Sequence, residues 1–387
     1  MRLLVAGLET LAVKHIAKDL RDILTDLRAV PNVENLKAST LRVQPDVVAV
    51  MIRDRQDIHE ASELLAYYPA MPILAVLPES DLSLSGTLHA IGCTDIVVLS
   101  EGTKDFRRAL DQLAERGKVG TGKVIAVMGG KGGVGTTAIT VNLADAIAAR
   151  GAPTALVDLN FYLGDVSETV GVAAEPSISW FLSQPDRLTQ SSLQERSPKH
   201  ANGMHVFSMR QDLQHAEAFG AEQVTTFLRA LRGAYAYIVV DCGSNFREET
   251  LSCVTQADQS VVITSADRLS LAGSKRRINA LLGLSENKNT TRVVINRMGD
   301  GQDINTKTIE KVFGVPLLGT VRNAWADVSA SIENGTLLSQ SAPNAAVTRD
   351  IAVLSDQIAG PVRQKKTPDA ELSKGSGNRG IFARMSA

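Results

Sequence analysis

The chain has little of what would place it in several large functional classes. Of its 387 residues, 41 are Lys or Arg and 42 are Asp or Glu, a net charge of −1. No global basic field draws it toward nucleic acid or an anionic membrane, so no specific nucleic-acid partner is expected. Three cysteines, Cys93, Cys242 and Cys253, lack metal-ligand spacing and suit a reducing compartment, with the thiols packed in the interior. The six histidines (His15, His59, His89, His200, His205 and His215) show no H-x-x-x-H spacing. No serine stands in a G-x-S-x-G elbow. The opening run Met1 to Gly7 is too brief for a secretory apolar region, and no later stretch is long enough to span a membrane. A soluble, cytoplasmic protein with at most weak or indirect membrane association is expected.

What is present is a glycine-rich turn. Residues 130–137 read Gly-Lys-Gly-Gly-Val-Gly-Thr-Thr, directly after the apolar run Lys123 to Met128. A strand entering such a turn and leaving as a helix (here Ala138 to Arg150) turns backbone N–H groups toward anionic oxygens. The positive end of the helix dipole adds to the cradle. Gly130 to Thr137 fits the phosphate-loop pattern G-x-x-x-x-G-K-[ST] except that Thr136 stands in place of the lysine. Thr137 keeps the hydroxyl suited to Mg²⁺, and Lys131 is an added cation at the front of the loop. The loop residues Gly130, Lys131, Gly132, Gly133, Val134, Gly135, Thr136 and Thr137 are thus candidate phosphate contacts.

A chain this long favours two domains. Residues 1–118 alternate apolar strands with helical stretches, the pattern of a parallel sheet with crossover helices. Strands are expected at Arg2–Ala6, Leu27–Val30, Val47–Ile52, Ile73–Leu77 and Ile96–Leu99. Helices are expected near Leu11–Thr25, Asp57–Tyr67, Leu84–Ile91 and Lys104–Glu115. Five strands so interleaved, with the segments Pro45–Val50 and Gly92–Val98, resemble the receiver domain of two-component response regulators. Receiver chemistry needs acidic residues after the first strand, an acceptor Asp after the third, a hydroxyl after the fourth and a lysine after the fifth. Here those places hold Gly7 and Leu8, then Met51, Leu77, and Leu99 or Ser100. Asp54 reads as a loop or helix-cap residue. The unit is expected to be a pseudo-receiver that binds partners or pairs with itself.

The glycine-rich junction Gly117–Gly122 leads into a second α/β unit, residues 119–360. Its strands are expected at Val124–Met128, Thr154–Val157, His205–Ser208, Ala236–Val240, Gln259–Thr264, Arg292–Ile295 and Leu317–Leu318. Ligands of open parallel sheets sit beyond the carboxyl ends of strands. Two strands end there in acidic residues, Ala155-Leu-Val-Asp158 and Tyr237-Ile-Val-Val-Asp241. Paired strand-end carboxylates beside a phosphate loop orient Mg²⁺ and its waters, so Thr137, Asp158 and Asp241 are the candidate metal ligands. Residues 361–387 read as a flexible basic tail.

From this set of motifs the stretch from about 123 to 360 resembles the deviant-Walker ATPases of the ParA/MinD superfamily. The resemblance implies a mostly parallel, doubly wound P-loop NTPase domain that binds ATP and Mg²⁺. It assigns Lys131 as the signature lysine reaching the phosphates of a partner subunit in an ATP-sandwiched homodimer. It assigns Asp241 as the Walker B aspartate. Val294-Ile-Asn296-Arg297 resembles the strand end whose asparagine recognises adenine, although Asn296 also fits a plain turn residue. Gly319–Asn323, followed by Ala330, Asn334 and Gly335, resembles the element closing over the base. A pseudo-receiver ahead of such an ATPase resembles the CpaE/TadZ group, localisation factors of Tad (Flp) pilus assembly. Phe161–Val166, Asp241–Leu251 and Ala257–Val262 fit that group too. The partners so implied are the pilus secretion machinery or polar localisation proteins, at a pole or the inner-membrane face.

Two departures bear on catalysis, for which Lys131, Asp158 and Asn160 are the candidates. Thr136 removes a cation from the β/γ-phosphates, a loss of roughly 2–4 kcal/mol of transition-state stabilisation by analogy with single-donor deletions. Asn160 replaces the second aspartate that positions the attacking water, and an amide cannot take a proton. Hydrolysis is expected to suffer more than binding. The alternatives are a cycling partitioning or septum-placement ATPase and a nucleotide-free pseudo-ATPase scaffold. Asp165 fits either a switch loop or a solvated turn.

Overall fold

Short apolar runs bounded by glycine, proline and polar turns become the strands of two separate parallel sheets. The computed structural model describes residues 1–24, 26–33, 36–43, 45–68, 71–115, 122–162, 164–209, 219–284, 290–299 and 305–359. The basic tail (361–387) and most of the glycine-rich junction lie outside the described residues.

The first sheet contains β1 (Arg2–Ala6), β2 (Asp26–Val30), β3 (Val47–Met51), β4 (Ile73–Leu77) and β5 (Asp95–Val98), in the order β2-β1-β3-β4-β5 with every pairing parallel. This is the flavodoxin-like doubly wound order. Strands β3 and β4 are buried at every residue. Helices cover both of their faces, so their sequences read as unbroken apolar runs rather than alternating ones. The helix Leu36–Val43 has no counterpart among the expected elements. Its inward residues include Ser39 and Thr40, buried but polar, which blurs the apolar period that would reveal it. The first helix ends at Asp19 rather than Thr25, because Leu20 is drawn wholly into the core and the chain turns back over Ile23. Asp54 caps the helix Arg55–Tyr67, its Oδ1 accepting from the backbone N–H groups of Gln56 and Asp57 at 2.9 and 3.0 Å.

The second sheet contains β6 (Lys123–Gly129), β7 (Thr154–Asp158), β8 (His205–Phe207), β9 (Tyr237–Asp241), β10 (Gln259–Ser265), β11 (Thr291–Met298) and β12 (Leu317–Arg322). Its order is β12-β11-β10-β6-β9-β7-β8, again parallel throughout. One apolar layer, including Phe181, Phe207 and Phe227, fills one face, and a layer under the helices Thr136–Ala148 and Ala346–Ala359 fills the other.

Charged and polar side chains gather where the amino ends of the two sheets meet. Arg2, the first residue of β1, donates from Nη1 to the carbonyl of Thr255 in the second unit at 3.3 Å. Its own backbone N–H donates to Asp46 Oδ2 at 2.7 Å, and its guanidinium lies 3.7 Å from the same carboxylate. Arg232, almost fully buried, donates to the carbonyls of Gly122 and Gln256 at 2.6 and 2.7 Å and pairs with Asp258 at 2.8 Å. Burial by itself would push the Asp46 carboxyl up. The charges of Arg2 and Arg232, with the backbone bond, outweigh burial and hold it below its ordinary value.

Asp46 therefore stabilises the fold as an anion. Its contribution is fully present above pH 3.8, its ordinary value, and is lost as pH falls through the lower folded-state value. Asp46→Asn leaves Arg2 unbalanced and should cost about 3 kcal/mol, as broken buried pairs do. Thermal melts of both proteins from pH 7 to pH 3 check this: the gap should be constant near neutrality and close in acid. Equal melting at pH 7 would show that the cluster contributes nothing.

Candidate nucleotide site

The central strand β6 ends at Gly129, and the chain then makes the loop that opens the helix Thr136–Ala148. Gly135 has φ +89°, and a Cβ there would come 2.5 Å from Asn296 Nδ2. Only glycine turns this corner, which is why the helix begins at Thr136 and not at Ala138. Thr136 is largely buried, and its hydroxyl packs so tightly on Gly129 that no side chain fits at 129. The residue standing in the lysine position thus faces the loop backbone. Lys131, by contrast, is exposed and lines the cavity beside the loop.

The sheet order places β9 beside β6 and β7 beside β9, with Asp158 and Asp241 in register as direct neighbours. Both carboxylates are about 1 % exposed. Asp158 Oδ1 accepts from the N–H of Asn160 at 2.9 Å and its Oδ2 from that of Val166 at 3.4 Å. Asp241 accepts from Gly243 N at 2.9 Å and from the Thr137 hydroxyl. Burial, and then the charge of Asp241, push the Asp158 carboxyl well above its ordinary value; burial raises Asp241 as well. Exposed Asp165, at the start of the helix Val166–Val170, adds a further negative charge felt by both. Two adjacent dry carboxylates and a hydroxyl are the donor set that a hard cation such as Mg²⁺ takes. Among the described residues no group of three or more His, Cys, Asp or Glu is placed to hold a metal alone. Phosphate oxygens and water would therefore complete the shell, as is usual for Mg²⁺.

A cavity of about 540 Å³ runs from the loop along the carboxyl edge of the sheet. Lys131, Gly132, Gly133, Gly135, Thr136 and Thr137 line one end, together with Asn160. The Asn160 carboxamide packs beside Gly243 in the turn after Asp241. Asn296 and Arg297 stand at the other end with Arg322, Asn323, Trp325 and Val328. The structure thus gathers Lys131, Thr137, Asp158, Asn160 and Asp241 around one locus, whereas Asn296 turns toward the loop: its Nδ2 donates to the Val134 carbonyl at 2.9 Å and its Oδ1 accepts from Arg297 N at 2.8 Å.

Three contributors carry no sequence motif. Arg277 donates to the Gly129 carbonyl and lies over the Phe246 ring at 4.7 Å, bracing the front of the loop. Asn142 Oδ1 accepts from Leu338 N at 2.8 Å, tying the loop helix to the segment after the cavity. Trp325, two thirds exposed, opens the helix Trp325–Glu333. The one available signal was an exposed-type aromatic directly after the Gly319–Asn323 strand end.

With this geometry in hand, comparison with known proteins is direct. Residues 120–359 match the ParA family model, described as NUBPL iron-transfer P-loop NTPase. The septum site-determining protein MinD of Bacillus subtilis is 25 % identical over 215 residues, covering 54 % of this chain and 80 % of that protein. A ParA family ATPase from Chlorobium tepidum has a TM-score of 0.54 at 22 % identity, over 60 % of this chain and 97 % of that one. MinD of Pyrococcus horikoshii, solved with Mg-ADP, has a TM-score of 0.53 at 18 % identity, over 61 % of this chain and 95 % of that one. The chain belongs to the ParA/MinD superfamily of P-loop NTPases.

The facing carboxylates are a source of strain in the absence of a cation. Asp158→Asn keeps one of the two acceptor contacts through its single amide oxygen, gives up the other, and removes one of the two charges. Without ligand, the variant should melt higher than wild type at pH 7, by about 2–4 °C per kcal/mol recovered. It should also lose most of the stabilisation that Mg²⁺ with nucleotide gives the wild type. A variant that melts lower would mean that the pair is not under charge strain.

Proposed function

We propose that this ParA/MinD-superfamily chain is an ATP-binding dimeric switch or scaffold of the CpaE/TadZ kind, which positions the Tad (Flp) pilus secretion machinery and hydrolyses ATP slowly. The observation carrying the reading is the arrangement of units: a flavodoxin-like sheet in receiver order, lacking receiver chemistry, precedes a ParA-type domain with a departed phosphate loop. Met51 ends β3 where a receiver would carry its acceptor, and Arg53 pairs with Asp57 at 3.1 Å just beyond it. The first unit, residues 1–118, is a pseudo-receiver offering a docking surface. Residues 119–360 form the ATPase domain.

Thr137, Asp158 and Asp241 would hold Mg²⁺, which would supply charge neutralisation to the phosphates. The relative from Pyrococcus horikoshii carries Mg-ADP, which supports this choice of ligand. The loop N–H groups from Gly130 to Thr137 bind the phosphates, with the dipole of the helix Thr136–Ala148 behind them. Lys131, exposed and without an ionic partner among the described residues, reaches across to the nucleotide of a second copy. Asn160 orients water by hydrogen bonding and takes no proton from it, so turnover is slow. The bound state then persists long enough to act as a positional signal, displayed at a cell pole or the inner-membrane face.

Calorimetric titration with Mg·ATP against Mg·ADP tests the switch directly: saturable binding that favours ATP is expected, with dimerisation visible by sedimentation. Lys131→Ala should abolish ATP-dependent pairing and localisation together, and a variant unchanged in both would sink the reading. Restoring the two missing groups, Thr136→Lys with Asn160→Asp, should raise kcat by at least about thirty-fold, the lower end of what one transition-state donor contributes. No gain would mean that the two departures are not what limits turnover.

A further inference from the structure

The phosphate loop lacks one cation of its pattern, and a cation from elsewhere in the chain bears on the same place. Thr136 stands where the pattern has lysine, with its hydroxyl packed on Gly129. Arg277 reaches that glycine too: its Nη1 donates to the Gly129 carbonyl. It comes from the helix Arg268–Leu284, whose Ile278 and Leu281 belong to one apolar layer, while Ile139 and Leu143 of the loop helix belong to the other. Arg277 therefore approaches the loop from the sheet face opposite the loop helix.

Packing fixes that approach. Ser274 fills the space a side chain at Gly130 would need, and a Cβ at Gly273 would come 3.0 Å from the Gly130 carbonyl oxygen. Arg277 lies one helical turn beyond both, on the same face. Its guanidinium lies over the ring of Phe246, in the turn after β9, at 4.7 Å. Strands β9, β6 and β10 are neighbours in the sheet, so one side chain joins the segments that leave three central strands.

The charge of Arg277 has no internal counterpart. The residue is half-buried, and among the described residues no carboxylate stands within ion-pair distance of it. Burial lowers its pKa, and no neighbouring acid raises it again. Arg2 and Arg232, also drawn into the protein, each have a carboxylate beside them. A fixed cation without a counter-ion gives the adjoining anion cradle a standing positive potential. Arg277 is not among the residues that line the cavity, so it acts on a bound anion through the loop and not by contact.

We propose that Arg277 supplies, from behind the loop, the positive charge that Thr136 does not, and is the positioning residue that lets this loop hold a triphosphate without the lysine of its pattern. This rests on the nucleotide-binding reading above and adds the residue that makes the departed loop workable.

The test is calorimetric titration of the full chain with Mg·ATP and with magnesium tripolyphosphate, across about 0.05 to 0.5 M salt. Arg277→Gln keeps an N–H for the Gly129 carbonyl and removes the charge, whereas Arg277→Lys keeps the charge. Two unit charges about 10 Å apart at an effective dielectric of about 20 are worth about ten-fold in affinity, so Arg277→Gln should weaken both ligands by about that factor at low salt. The deficit should shrink as salt screens the charge, while Arg277→Lys stays within about three-fold of wild type. Thr136→Lys restores the missing cation, and in that background Arg277→Gln should cost less than about three-fold. If Thr136→Lys does not fold in the tight space at Gly129, the salt dependence decides alone. Equal losses in the two Arg277 variants, or a deficit that does not change with salt, would make Arg277 a plain brace and overturn the charge role. Unaltered affinity in Arg277→Gln overturns it as well. Wild-type protein that binds neither ligand removes the nucleotide reading itself, a result distinct from binding that Arg277→Gln leaves intact.

Discussion

Two carboxylates buried side by side at the carboxyl edge of a parallel sheet are the constraint around which the second unit is arranged. Asp158 and Asp241 occupy register-matched positions on neighbouring strands, each about 1 % exposed. Charges so placed repel each other in a medium that screens them poorly. The neighbourhood answers with donors: the N–H groups of Asn160, Val166 and Gly243 and the hydroxyl of Thr137. Those donors come from the loop after β7, the turn after β9 and the first turn of the loop helix. Relieving one repulsion thus fixes the relative positions of three segments that are far apart in sequence.

The loop itself is held from several sides. Asn296 supports it at Val134, Arg277 at Gly129, and Thr136 fills the space beneath it. A second chain of contact leaves Asp158 through Val166 and the helix Val166–Val170. It ends at Gly171, whose backbone meets that of Gly335, just past the helix carrying Trp325. The acidic locus and the far end of the cavity therefore share a continuous backbone path, in which Gly171 meets the Gly335 carbonyl too closely to carry a side chain.

Much of this was legible beforehand because it is local. Strands such as Val47–Met51 and Tyr237–Asp241 are apolar runs whose ends are marked by charged or turn residues, and the glycine loop fixes what must follow it. The parallel sheet of the first unit follows from the alternation of strand and helix, and its flavodoxin-like order agrees with the resemblance to receiver domains. What escaped was what depends on distance through space. The helix Leu36–Val43 hides behind buried Ser39 and Thr40. Asn296 carries the right residue type at the right strand end, but its partner lies 162 positions away. Trp325 reads as one aromatic among helix formers until the cavity beside it is seen. The Arg2–Thr255 contact joins residues 253 apart and leaves no local trace.

That last contact places the seam between the two units. Arg2 opens β1 and Thr255 lies just before β10, so the seam is at the amino ends of both sheets, away from the carboxyl edge along which the cavity runs. A substitution at the seam thus perturbs one end of the strands of the second sheet, and a ligand in the cavity the other.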